Sequence, residues 1–110
     1  MSTVKITLKI NDENKEFIKA DFTLYDNLQA LKHRIKEENY YAKDQTADGY
    51  EHIQHDFADT IVNIFGNRFT RDELLHGLSI SNAAILDEIY LKALGGEEKD
   101  KDADPDNGKK

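Results

Sequence analysis

The chain has 110 residues, with 22 acids against 15 bases, a net charge of −7 and no cysteine. Those numbers suit one domain with a modest core and exclude disulfide staples and cysteine-built metal sites. The acidic balance argues against binding to a phosphate backbone, which needs clustered lysine and arginine, and no apolar run approaches the ~20 residues of a membrane-spanning helix.

Val4, Ile6, Leu8 and Ile10 alternate with Thr3, Lys5, Thr7 and Lys9. Alternation predicts a half-buried strand. It is also unlike a secretory leader, which sets a basic stretch before a continuous apolar run. The chain therefore reads as soluble and cytoplasmic. Asn11-Asp12-Glu13-Asn14 supplies a turn, and a second strand follows across about Glu16–Phe22. The hairpin of residues 3–22 needs helices to cover its apolar face, because an isolated hairpin is marginal in water.

A helix is predicted over residues 24–41. Thr23 is placed to cap it, and Asp26 complements the dipole in its first turn. Leu24, Leu28, Leu31 and Ile35 step by four, three and four, which puts them on one face. The opposite face carries Lys32, Arg34, Lys36 and Glu37. The basic cluster Lys32-His33-Arg34-Lys36 runs into Glu37-Glu38 and reads as a solvated helix face. His33 and His76 have no partner in the sequence and read as surface residues. Tyr40-Tyr41 closes the helix, and Ala42–Ala47 is a polar loop.

The next helix is predicted over 49–65, with Asp48 and Glu51 as a capping box and Ile53, Phe57, Ile61 and Ile64 inward. His52 and His55 lie three apart, with Glu51, Asp56 and Asp59 nearby. One turn could present such a pair to a metal, but a metalloprotease places two histidines four apart around a glutamate. The pair reads as a polar face, with no metal site.

The segment that follows is the most specific in the chain. Phe57, Ile61, Ile64 and Phe65 form an apolar face, and Gly66 can take the left-handed conformation that ends a helix. Thr70 and Glu73 form a capping box, with Phe69 and Leu74 placed as a hydrophobic staple. A short helix over 71–77 results, with Gly77 as its stop and Leu78 after it. Ser79 or Ser81 opens a fourth helix over 81–94, whose stripe is Ile85, Leu86, Ile89 and Tyr90. Gly95-Gly96 stops it.

Residues 95–110 hold six acids, four lysines and one apolar residue, Ala103. They cannot offset the entropy of ordering and read as a disordered acidic tail behind a single domain of residues 1–94. Asp100, Asp102, Asp104 and Asp106 alternate like calcium ligands. Counted from Asp102, however, the sixth position is Asn107 where a calcium loop needs glycine, and the chain stops before the twelfth. The chain holds no nucleophile elbow, phosphate-cradling loop or dinucleotide fingerprint, so it reads as a non-enzyme without a cofactor. The expected fold class is α+β: an N-terminal β-hairpin packed on about four α-helices. A hairpin, a helix and Leu94-Gly95-Gly96 also suggest a ubiquitin-like protein, but residues 50–94 follow helical periodicity where that fold needs strands.

The order of an apolar helix, Phe65-Gly66-Asn67-x-Phe69-Thr70-x-Asp72-Glu73-Leu74 and then Gly77-Leu78 resembles the tail assembly chaperones of long-tailed phages and prophages of Gram-positive bacteria. The resemblance covers most of residues 3–94, and its specific part is 57–78. It marks Phe57, Ile61, Phe65, Gly66, Phe69, Thr70, Glu73, Leu74, Gly77 and Leu78 as a signature of packing and capping rather than of chemistry. It implies a chaperone that binds the tape measure protein, keeps its apolar helical segments soluble and helps recruit tail tube protein. It also implies self-association and absence from the finished virion. Such chaperones are commonly made in two lengths by ribosomal slippage, and Lys109-Lys110 is compatible with an adenine-rich slippery site. The alternative is a small non-enzymatic adaptor with no phage role. Tyr25, Tyr40, Tyr41 and Tyr50 are candidate partner contacts, since tyrosine is enriched in interfaces; each could equally cover the core edge.

Overall fold

Alternation in the first ten residues becomes strand β1 (Val4–Ile10), which pairs antiparallel with β2 (Glu13–Lys19) in a computed structural model that describes residues 3–43 and 46–95. Val4, Ile6 and Leu8 are buried, and Lys5 and Lys9 face solvent. Ile10 pairs with Glu13, so the turn is only Asn11-Asp12. Both turn residues have positive φ, 55° and 65°. That is the signature of a two-residue mirror-image turn, whose twist matches that of the flanking strands. The tight turn starts β2 three residues earlier than the expected Glu16–Phe22.

Helix α1 (Leu24–Ala42) opens with a complete capping box: Thr23 Oγ1 accepts from Asp26 N–H, and the Asp26 carboxylate accepts from Thr23 N–H. Helix α2 (Ala47–Ile64) starts earlier than expected. Its cap is Thr46, whose hydroxyl accepts from Gly49 N–H at 2.9 Å, and Asp48 and Glu51 lie inside the helix rather than boxing its end. The cap role goes to the residue just before the helix, whose side-chain oxygen faces the N–H two or three residues on, and here that residue is Thr46.

Gly66 (φ 71°) and Asn67 (φ 60°) carry the left-handed exit from α2. Thr70 and Glu73 then box the start of α3 (Arg71–Gly77), with Thr70 Oγ1 accepting from Glu73 N–H at 3.0 Å and Glu73 accepting from Thr70 N–H at 2.9 Å. Thr70→Ala is expected to lower the unfolding free energy by ~1 kcal/mol; a urea melt with an unchanged midpoint would show that this cap contributes nothing. Gly77 proves to be more than a stop. It is the last residue of α3, and a Cβ there would lie 2.8 Å from the Lys9 carbonyl oxygen of β1. Glycine is required because α3 packs backbone to backbone on the hairpin.

Ser79 caps a 3-10 turn (Ile80–Asn82), and α4 (Ala84–Ala93) begins beyond it. That helix starts three residues later than expected because the Ser79 hydroxyl accepts from Ser81 N–H and so serves the tighter turn. Gly95 follows at φ 92°. Residues 96–110, with the alternating aspartates and Lys109-Lys110, lie outside the described residues.

The core lies between the hairpin and the helices. Val4, Ile6 and Leu8 meet Ile61, Ile64 and Phe65 of the α2 end, Phe69, Leu74 of α3, and Ile89 and Ala93 of α4. Phe69 joins the layers, with its ring 4.9 Å from Phe17 and 5.5 Å from Phe65 between centroids. Arg68 fastens the junction to the hairpin by donating to the carbonyls of Phe65 and Ile18, at 3.0 and 2.6 Å.

Candidate functional site

Helix α1 presents two unlike faces, and the fold buries the polar one. Leu24, Leu28, Leu31 and Ile35 are 88%, 52%, 37% and 59% exposed, whereas Asp26, Ala30 and His33 of the same helix are buried. An amphipathic reading turns the aliphatic face inward; here it is outward.

The buried face is held by directional bonds. Asp26, besides capping Thr23, pairs with Lys19 of β2 at 2.9 Å. The Asn27 amide donates to the Ala93 carbonyl at the end of α4, and Gln29 accepts from Asn63 of α2. Ala30 has no accessible surface, and its small side chain permits close approach. His33, expected at the surface, is 1% exposed. Its Nδ1 lies 2.7 Å from Asp56 Oδ2, and its ring packs on Phe57 and Tyr90 at 5.1 and 5.7 Å between centroids. A buried polar group must be bonded or it destabilises the fold; each of these has its partner.

Asp56 is the hub of the α1–α2 contact. Lys36 Nζ reaches its other oxygen at 3.0 Å. Burial pushes the Asp56 carboxyl upward, but hydrogen bonds from His33 and Lys36 and their charge outweigh it, so its pKa lies below the ordinary value. A carboxylate with a depressed folded-state pKa contributes stability that is fully present above its unfolded pKa, about 3.9 for aspartate, and is lost as pH falls through the folded value. Asp56→Asn should therefore narrow its stability gap to wild type as the pH falls through that window. Chemical denaturation from pH 7 to pH 2 measures it, and a gap constant with pH would mean the carboxylate charge is not what matters.

The four tyrosines do not form one surface. Tyr25 is in the first turn of α1, and Tyr41 is about 24 Å further along at 1.5 Å per residue; both are 52% exposed, as is Tyr50 of α2. Tyr40 donates to the Thr46 carbonyl at 3.4 Å and lies edge-to-face on Tyr41, so it closes the α1–α2 connection. The signature residues build the frame: Ile61, Phe65, Phe69 and Leu74 are buried, and Thr70 and Glu73 are engaged in their cap. Phe57 and Leu78 are half-buried and line an apolar groove of ≈ 290 Å³ with Leu74, Leu75, Ile80 and Leu86.

His52 lines a separate cleft of ≈ 450 Å³ beside Lys36, Tyr40 and Ile53. His55 lies 3.4 Å from Arg71, which holds Asp59 through two N–H donors at 2.9 Å. Among the described residues no three histidine, aspartate or glutamate groups gather as a metal would need, and no helix is long and apolar enough to cross a membrane. Two apolar surfaces remain open among the described residues, the Leu24–Ile35 face of α1 and the groove beside Phe57 and Leu78. The residues that sequence reasoning passed over are the aliphatics of α1, read only as a helix face. A signal was present: Asp26, Ala30 and His33 share the same four-then-three spacing on the other side, so the helix had two candidates for its inner face.

Over residues 1–110 the sequence matches the family described as phage tail chaperone protein. No curated protein and no solved structure matches it.

Proposed function

The chain belongs to the phage tail chaperone family, and from that premise we propose that it binds the tape measure protein during tail assembly, keeps its apolar helical segments soluble and helps recruit tail tube protein. The observation that carries this reading is the family match over the whole chain, and the exposed aliphatic face of α1 supports it physically. A chaperone must hold apolar surface away from water and then release it. A narrow apolar face gives weak single contacts, and many copies along one long chain convert them into avidity that still permits exchange. The function is one of binding, exercised in the host cytoplasm, and the chaperone is released before the virion is complete. Self-association of copies belongs to the same reading.

Co-expression of the chain with the tape measure protein from the same genome tests the proposal. Copurification and a larger soluble fraction of tape measure protein are the expected results, and adding tube protein should then reduce the chaperone bound. A tape measure protein equally insoluble with and without the chain, and not copurifying, overturns it.

A further inference from the structure

We propose that the outward face of α1 is a docking strip for a single amphipathic helix of a partner protein, one whose apolar seam is flanked by acidic residues. The proposal rests on the chaperone reading for its natural partner and adds to it a place and a chemistry.

Leu24, Leu28, Leu31 and Ile35 repeat at the spacing of a coiled-coil seam, in which two helices meet through residues alternately three and four apart. The strip runs about 17 Å along the helix at 1.5 Å per residue. It is a contiguous apolar surface on a soluble chain, the kind of feature that marks an interaction site. It is also stiff: the bonds of Asp26, Asn27, Gln29, His33 and Lys36 to β2, α2 and α4 fix the helix from behind. A partner therefore meets a preformed track and loses less freedom on binding than it would on a mobile one.

Size and charge identify the occupant. A standard interface between two folded proteins takes roughly 20–30 residues a side. Four aliphatics, with Tyr25 beside the first, form a far narrower surface. That width suits one helix inserting anchors at i, i+3 or i+4, and i+7. Lys32 and Arg34, expected on the opposite face, instead flank the seam between Leu31 and Ile35, one on each side and both exposed, because the opposite face is the buried one of Asp26, Ala30 and His33. Glu38 accepts from Arg34 at 3.4 Å in a pair open to solvent, and among the described residues Lys32 has no ion pair, so Lys32 is the cation left for a partner and Arg34 one that could exchange its acid. A second copy of the chain would bring the same two cations to the seam. A helix with glutamate or aspartate beside its apolar positions would pair with them.

The test uses the full chain, the tape measure protein of the same genome, and two synthetic three-heptad peptides. Both peptides carry leucine along one seam; one has glutamate and the other lysine at the flanking positions. Wild type is expected to bind the glutamate peptide at least about tenfold more tightly than the lysine peptide. Leu28→Glu with Leu31→Glu should abolish binding of that peptide and of the tape measure protein without moving the melting temperature, since both side chains are solvent-exposed. Lys32→Glu with Arg34→Glu should reverse the peptide preference, a readout that a mere loss of folding cannot produce. Equal binding of both peptides, or binding that survives the Leu28/Leu31 change, overturns the strip. So does a Leu28/Leu31 variant that turns a dimer into a monomer while still holding the peptide, because the strip would then be a self-contact. A wild-type chain that binds the glutamate peptide through this face but ignores the tape measure protein upholds the strip and defeats the chaperone reading instead. Tape measure binding that is indifferent to Leu28 and Leu31 does the reverse.

Discussion

Phe65→Ala is expected to lower the unfolding free energy by ~3–5 kcal/mol. Phe65 follows α2 as its C-cap and is 1% exposed. Its ring meets Phe69, which meets Phe17 of the hairpin, so truncation opens a cavity where the sheet and two helices join. Arg68 lies over the same ring at 5.6 Å and would lose that support, loosening its bonds to the Phe65 and Ile18 carbonyls. Guanidinium melts should show a lower midpoint. Leu24→Ala is the control, because that side chain is 88% exposed and its loss should fall within about 0.5 kcal/mol. Similar small losses at both positions would mean that the junction is not the centre of the core.

Gly77→Ala is expected to destabilise by about 1–3 kcal/mol through overpacking, and its sign makes it informative. Gly77 ends α3 without a positive φ. In an open helix, alanine in place of glycine would stabilise by roughly 0.8–1 kcal/mol from propensity alone. Here the new methyl would lie 2.8 Å from the Lys9 oxygen and 3.1 Å from the Lys9 nitrogen. Those are backbone atoms of a paired strand, which cannot swing aside as a side chain can. Either α3 lifts from β1 or the strand bends. A thermal melt that rises on substitution would show that α3 stands clear of the hairpin. Gly66→Ala isolates the other glycine role, since nothing lies within 4 Å of its Cβ position and only the left-handed φ opposes the change. Steric preference at such a φ is worth roughly 1–2 kcal/mol.

The local structure was legible because its causes are local. A capping box needs residues three apart, and Thr70 with Glu73 could be identified from spacing alone. The same holds for the alternating strand Val4–Ile10 and for the exit at Gly66. Local reasoning failed where two nearby residues competed for one role. Thr46 took the cap assigned to Asp48, and Asn11-Asp12 made a tighter turn than the four polar residues there suggested. Both errors moved a boundary by a few residues and left the element intact.

The candidate site was legible only as residues, not as a surface. The aliphatic repeat of α1 is plain in the sequence, and periodicity alone assigns such a repeat to the core. What the sequence by itself determined is which side chains share each face of that helix, because 3.6 residues per turn fixes that angle whatever the surroundings. Which face turns inward was decided by partners distant in the chain: Lys19 for Asp26, Ala93 for Asn27, Asn63 for Gln29 and Asp56 for His33. Buried polar groups are tolerated only when every one is bonded, and those bonds exist only once α2, α4 and the hairpin are in place. With the polar face satisfied inside, Leu24, Leu28, Leu31 and Ile35 are left facing water, where a partner helix can cover them.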